Sequence, residues 1–156
     1  MIRAEAEAIV ARTPREVLEW VLDLERYRQS DPKITHVYEQ VPPDVSGRGR
    51  ARYRGRLRGV PTPPDINEIA LDRWSRLTFI GAPGIWTRWL VDFEGIFECE
   101  PVDGGTRVVH RETFWFHPAP VERLARAYLG SWLQREIERE MTRLEALIEQ
   151  STRAGQ

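Results

Sequence analysis

Cysteine, lysine and histidine are scarce in this chain, and each shortage excludes a class of chemistry. Cys99 is the single cysteine among 156 residues. Neither an intramolecular disulfide nor a paired-cysteine metal site can form, and a reducing cytoplasm is the expected compartment. The three histidines, His36, His110 and His117, are scattered without the spacing of a metal-binding motif, so no metal is expected. The longest uncharged run, from Leu77 to Thr87, falls well short of the roughly 20 residues a membrane-crossing helix requires. Charges at Arg3, Glu5 and Glu7 sit where a secretory leader would need an apolar stretch. Phosphate-cradling glycine loops and nucleophile elbows are missing as well, and nothing calls for a cofactor.

Lys33 is the only lysine, set against 22 arginines. The 23 basic residues are outnumbered by 24 acidic ones, for a net charge of −1. A general polyanion binder carries a cationic excess, so nucleic acid is not the expected partner. A hydrophobic content of 41%, a charged content of 30% and six tryptophans describe a folded soluble domain rather than a disordered chain. At this length one domain is expected, over residues 1–150, with a frayed tail at 151–156.

Between Arg48 and Arg58 every even-numbered residue is arginine, and Gly49, Ala51, Tyr53, Gly55 and Leu57 alternate with them. A period of two is that of an extended strand, with cations on one face and small or lightly apolar residues on the other. The small face implies space behind the sheet. Glu39, Glu68 and Asp72 are candidate cross-strand partners for the arginines. On that reading the comb is a solvated outer face. The alternative reading is a contact for an anionic partner such as RNA, a ribosome or a membrane surface.

Elsewhere the pattern sorts into elements. Ile2, Ala4, Ala6, Ala8 and Val10 alternate with charged residues, which predicts a strand against the helix propensity of Ala and Glu. Thr13, Pro14 and Glu16 form a capping box with proline at the first helical position. Val17, Trp20, Val21 and Leu24 then follow at helical spacing, and a second short helical turn precedes Pro32. Six strands separated by Pro, Gly and Asp turns follow from Ile34 to His117. After Pro118 and Pro120, the residues Val121, Leu124, Tyr128, Trp132, Ile137, Met141, Leu144 and Ile148 mark a long amphipathic helix. The order β-α-α-β6-α predicts an α+β fold in which a curved, seven-stranded antiparallel sheet wraps around the C-terminal helix.

That order, together with Thr13-Pro14-Arg15-Glu16-Val17, Trp20, Asp23-Leu24-Glu25-Arg26-Tyr27 and the Gly104-Gly105-Thr106 turn, resembles the helix-grip superfamily (SRPBCC, START-like). This group includes START-type lipid-binding domains, pathogenesis-related plant allergens, coenzyme Q-binding proteins and bacterial polyketide cyclase/dehydrase-like proteins. The resemblance covers nearly the whole chain and implies an apolar cavity between the concave sheet and the long helix. In the polyketide cyclases an inward arginine on the fourth strand is expected to help hold the polyketide. This chain has Ile69 at that place, which weighs against the cyclase reading.

Strand parity then gives an expected cavity lining: Tyr53, Asn67, Ile69, Trp89, Phe93, Phe97, His110, Glu112 and Phe114 from the sheet, and Tyr128 and Trp132 from the helix. Trp86 and Trp89 are expected near a mouth. His110 and Glu112 share one strand face. They are candidates either for a general base and acid in an enolisation or dehydration, or for a polar pair that orients a ligand. Were the parity reversed, Arg111 and Thr113 would face inward instead. The leading expectation is a binding protein for a small hydrophobic molecule (lipid, isoprenoid or polyketide), with a homodimer allowed. The alternatives are a polyketide aromatase/cyclase- or dehydratase-like enzyme using His110 and Glu112, and a ribosome- or RNA-associated module using the Arg48 to Arg58 face.

Overall fold

In the computed structural model, which describes residues 1–82, 84 and 89–153, alternation prevails over helix propensity at the N-terminus. Strand β1 (Ile2–Val10) pairs antiparallel with the last strand, from Ile2 opposite Phe114 to Val10 opposite Thr106. Helix α1 (Pro14–Leu22) starts as its capping box requires: Thr13 Oγ1 accepts from the Glu16 amide, and the Glu16 carboxylate accepts from the Thr13 amide at 2.9 Å. The four-residue α2 (Leu24–Tyr27) follows.

The strands are β2 (Ile34–Val41), β3 (Arg48–Leu57), β4 (Val60–Pro61), β5 (Asp65–Asp72), β6 (Arg76–Gly81), β7 (Val91–Val102) and β8 (Gly105–Phe116). Seven of the eight strands, β1 included, form one antiparallel sheet in the order β1-β8-β7-β6-β5-β3-β2, and the two-residue β4 pairs with the end of β3. Helix α3 (Ala119–Arg153) lies against β1 and β8. This is the helix-grip fold. Helix α3 continues through Arg153, into the stretch expected to be a frayed tail, and residues 154–156 lie outside the described residues. No helix among the described residues is long and apolar enough to cross a membrane.

The comb orients β3 as its period dictates, with every arginine exposed and Ala51 buried. Its last tooth is not part of the strand. Arg58 and Gly59 both adopt positive φ, at 46° and 86°, the pairing that a two-residue hairpin loop needs to match strand twist. The expected carboxylate ladder is also thinner than its pattern: among the described residues the comb's ion pair is Arg50–Glu39 at 3.4 Å, and neither Glu68 nor Asp72 joins it. Arg52 instead lies over the Tyr38 ring, and Arg54 donates to the Thr62 carbonyl.

The long helix differs most from its sequence reading. Its buried stripe is Leu129, Leu133, Ile137, Met141, Leu144 and Ile148, whereas Leu124 and Tyr128 are exposed and Trp132 is half-buried. Leu129, Leu133 and Ile137 pack on Ile2, Ala4 and Phe114, where the alanine of β1 lets the helix approach the sheet. Met141, Leu144 and Ile148 join the larger core formed by α1, α2 and the middle strands. Between these two apolar regions the helix carries a fully buried carboxylate, Glu140.

Candidate functional site

Alternation along β8 places Val108, His110, Glu112 and Phe114 on the concave face, all buried, as the parity of that strand predicts. The turn after α2 returns the chain beneath α3 and is fixed there by Arg143, whose Nε donates to the Ser30 carbonyl at 2.7 Å. The turn carries Asp31 and Lys33 into the interior, where each is more than nine-tenths buried. Helix α3 contributes Glu140 from above.

Lys33 is the hub of this cluster. Its ammonium lies 2.6 Å from Glu140 Oε2, 2.9 Å from Asp31 Oδ1 and 3.4 Å from Glu112 Oε1. The other oxygen of Glu140 accepts from the Tyr27 hydroxyl and stands 3.2 Å from His110 Nε2. His110 Nδ1 faces the Ile96 carbonyl at 3.0 Å, an acceptor only, so this nitrogen carries a proton. Its ring stacks on Phe97 with centroids 3.9 Å apart and planes within 4°.

These contacts set the protonation states. Burial alone would lower the pKa of His110, but the carboxylates of Glu140 and Glu112 outweigh it and push the value up to about 10. Burial likewise opposes the Lys33 ammonium, and Asp31, Glu112 and Glu140 together raise it above its ordinary range. Glu140 is the converse case: burial raises it, yet Lys33 and His110 hold it below the usual carboxylate range. Asp31 moves the opposite way to Glu140, since burial and the neighbouring Glu140 raise it to about 7 against the pull of Lys33.

His110, Glu112 and Glu140 bring ligand atoms within 4.8 Å of one another, the arrangement of a candidate metal centre. The ammonium of Lys33 already contacts two of these three groups, so a fixed cation stands where a metal's charge would be needed. The donor set does not fit a metal.

Beside this cluster lies a cavity of about 500 Å³ between the sheet and the N-terminal half of α3. Its walls are mainly apolar, with Ile34, Leu57, Val91, Phe93, Phe114 and Leu129 among them, and its polar groups include Tyr53, Asn67, Glu112, Asp31, Lys33 and Asp65. Leu124 and Tyr128, exposed on α3, stand at its mouth opposite the β3–β4 hairpin. Here the Arg58 guanidinium lies over the Tyr128 ring and donates to the Tyr128 carbonyl, while the Tyr128 hydroxyl donates to the Arg58 carbonyl at 3.1 Å. The hairpin and the helix are thereby clasped on one side of the opening.

Of the residues expected in the lining, Tyr53, Asn67, Phe93, Glu112, Phe114 and Tyr128 are there. Ile69 and Phe97 point inward but are packed in the core. His110 lies behind the cavity wall, 2% exposed, with both ring nitrogens facing acceptors. Trp132 packs against the cluster formed by β1 and α3. Trp89 is the clear correction: β7 begins only at Val91, so Trp89 belongs to the preceding turn and is 76% exposed. Trp86 lies outside the described residues.

The sequence reading missed Tyr27, Asp31, Lys33 and Glu140. Two signals were present. Glu140 falls on the apolar 133–137–140–144 spacing, where a carboxylate is out of place unless paired. Lys33 is a solitary lysine in a chain that otherwise uses arginine. Cys99 is buried, which pushes its thiol up to about 12, so it is not a nucleophile.

Comparison with known proteins agrees with this architecture. The sequence pattern of the family described as polyketide cyclase / dehydrase and lipid transport matches residues 1–149. No curated protein matches the chain. Among solved structures, TTHA0849 from Thermus thermophilus is similar at 22% identity and a TM-score of 0.70, covering 96% of this chain and 98% of its own. The Zhui aromatase/cyclase from Streptomyces sp. R1128 is similar at 17% identity and a TM-score of 0.77, over 98% of this chain and 96% of its own. The di-domain aromatase/cyclase StfQ of the steffimycin biosynthetic pathway shares 16% identity at a TM-score of 0.69, over 99% of this chain and 52% of its own. At these identities the structures speak for the fold alone.

Proposed function

The chain belongs to the polyketide cyclase/dehydrase and lipid transport family, and from that premise we propose that it binds a small, largely apolar or aromatic molecule between the sheet and α3. The observation that carries this reading is the cavity itself. Its 500 Å³ are walled mainly by aliphatic and aromatic side chains, with polar groups gathered in one region. Such a site takes its affinity from apolar burial and its orientation from a few polar contacts. Phe93 and Phe114, whose rings lie 4.9 Å apart and are tilted 45° to each other, offer aromatic faces against which a bound ring can pack.

The neutral dye Nile red tests this reading. One molecule per chain should bind with a blue-shifted, enhanced emission, and Ala125→Trp, which fills the cavity from the half-buried face of α3, should weaken that binding at least about tenfold. Failure of the dye to bind, or equal affinity in the variant, would refute the reading.

A second reading, an aromatase/cyclase- or dehydratase-like enzyme, draws support from one observation. Glu112 lines the cavity and its Oε2 is buried without a partner, free to take a proton from a bound molecule. His110 does not share that role, because it is held cationic behind the wall. The mark of this reading is turnover of an enolisable aryl ketone by the wild-type protein and none by Glu112→Gln. A lack of turnover in both leaves the binding role alone.

A further inference from the structure

The cavity wall carries two unmet acceptors, while its donors free for a ligand are neutral ones. Glu112 Oε2 and Asn67 Oδ1 are both buried without a hydrogen-bond partner, on side chains 3% and 1% exposed that line the cavity. Buried acceptors left unmet are costly, so their presence in a cavity wall points to what the cavity receives. The charged donors nearby are held elsewhere. Lys33 sits in ion pairs with Asp31, Glu112 and Glu140, and His110 lies behind the wall, with Nδ1 at the Ile96 carbonyl and Nε2 3.2 Å from Glu140 but without a hydrogen-bond partner. Arg56, the other cation of the lining, is exposed and belongs to the outer comb.

Charge runs the same way. An anion entering this region would meet the carboxyl groups of Glu112 and Asp65, and the buried cation of the lining, Lys33, is already paired. A neutral hydroxyl meets none of these penalties: it donates to Glu112 and accepts from the Asn67 amide or the Tyr53 hydroxyl, which also lines the cavity. We infer that the ligand enters with its polar end innermost, that this end is a neutral hydrogen-bond donor, a phenol or alcohol hydroxyl, and that the cavity discriminates against the same molecule carrying a carboxylate or phosphate there. This inference rests on the binding reading above and specifies the ligand's chemical class.

A matched set of probes decides it: a naphthol, the corresponding naphthoate, and naphthalene, titrated calorimetrically into the wild-type protein at pH 7 beside Nile red. The expected order is naphthol tightest, by about tenfold or more over each of the other two. Naphthoate or naphthalene binding as tightly as naphthol would overturn the inference while leaving the cavity reading intact. So would a protein that takes Nile red but not naphthol. If none of the four binds, the cavity reading itself falls and takes the inference with it. In Glu112→Gln, where an amide donor replaces the free acceptor, the preference for naphthol over naphthoate should shrink. Should that variant not fold, Asn67→Leu gives a second readout, with naphthol weakened and naphthalene unchanged or tighter.

Discussion

Replacing Glu140 by Gln removes the one carboxylate that touches Tyr27, Lys33 and His110 together. The fold is kept sterically, since the amide has nearly the shape of the acid, but the charge that compensates a buried ammonium at 2.6 Å and a buried imidazolium at 3.2 Å is gone. Breaking a buried pair by removing one partner costs about 3–5 kcal/mol, most of it the penalty of leaving the other charge uncompensated. Against a total stability of roughly 5–15 kcal/mol for a domain of this kind, that is a large share. Urea unfolding at pH 7, followed by tryptophan fluorescence, should show the loss as a lower midpoint at similar slope. Lys33→Met should cost a comparable amount. The double variant should cost less than the sum of the two by about 2 kcal/mol or more, because the second substitution removes the charge stranded by the first. Strict additivity, or a cost below about 1 kcal/mol for Glu140→Gln, would refute the view that this cluster is held together by mutual charge compensation.

Two other outcomes follow from the same geometry. The His110 value near 10 lies above its unfolded value near 6.5, so the folded state holds an extra proton over that interval. Its stabilisation is complete below pH 6.5 and is lost as the pH rises toward 10. Asp31 acts in the same direction at lower pH, because its folded value of about 7 exceeds the ordinary 3.8. Nuclear magnetic resonance should find the His110 ring still cationic at pH 8, with a melting temperature that falls from pH 6 to 9. A neutral ring at pH 7 would contradict the assignment. On the outer face, the half-exposed Arg50–Glu39 pair at 3.4 Å is a weak contact. Arg50→Ser and Arg52→Ser should therefore each change stability by less than about 1 kcal/mol in thermal unfolding, and a larger loss would mean that the comb supports the fold.

Local periodicity made most of the architecture legible. The alternation in β1, β3, β5 and β8 correctly sorted side chains between faces, because a period of two survives any tertiary arrangement that buries one face of a sheet. It put Tyr53, Asn67, Glu112 and Phe114 on the cavity side. On α3 the same method chose the wrong rows in the first half. Leu124 and Tyr128 join Ile137 and Met141 only through the five-residue step from Trp132 to Ile137, and the exposed hydrophobes at a cavity mouth look in sequence like those of a core. Trp89 failed for a related reason: the turn before β7 ends later than the alternation suggests.

The sequence by itself determined the order of elements, the faces of β1, β3 and β5, and the resemblance to the family. It also carried the outward direction of the arginine comb, since six cations at a period of two can face only solvent without a heavy desolvation cost. What the tertiary structure decided is the chemistry at the centre. Tyr27, Asp31, Lys33, His110, Glu112 and Glu140 come from separate elements and meet only when β8, the turn after α2 and α3 are packed together. Beyond the two-residue spacing of His110 and Glu112 on β8, no local pattern marks them as neighbours, and a charged residue read alone is assigned to the surface. Burial becomes tolerable for each only through the others, so their common fate is a property of the packed fold.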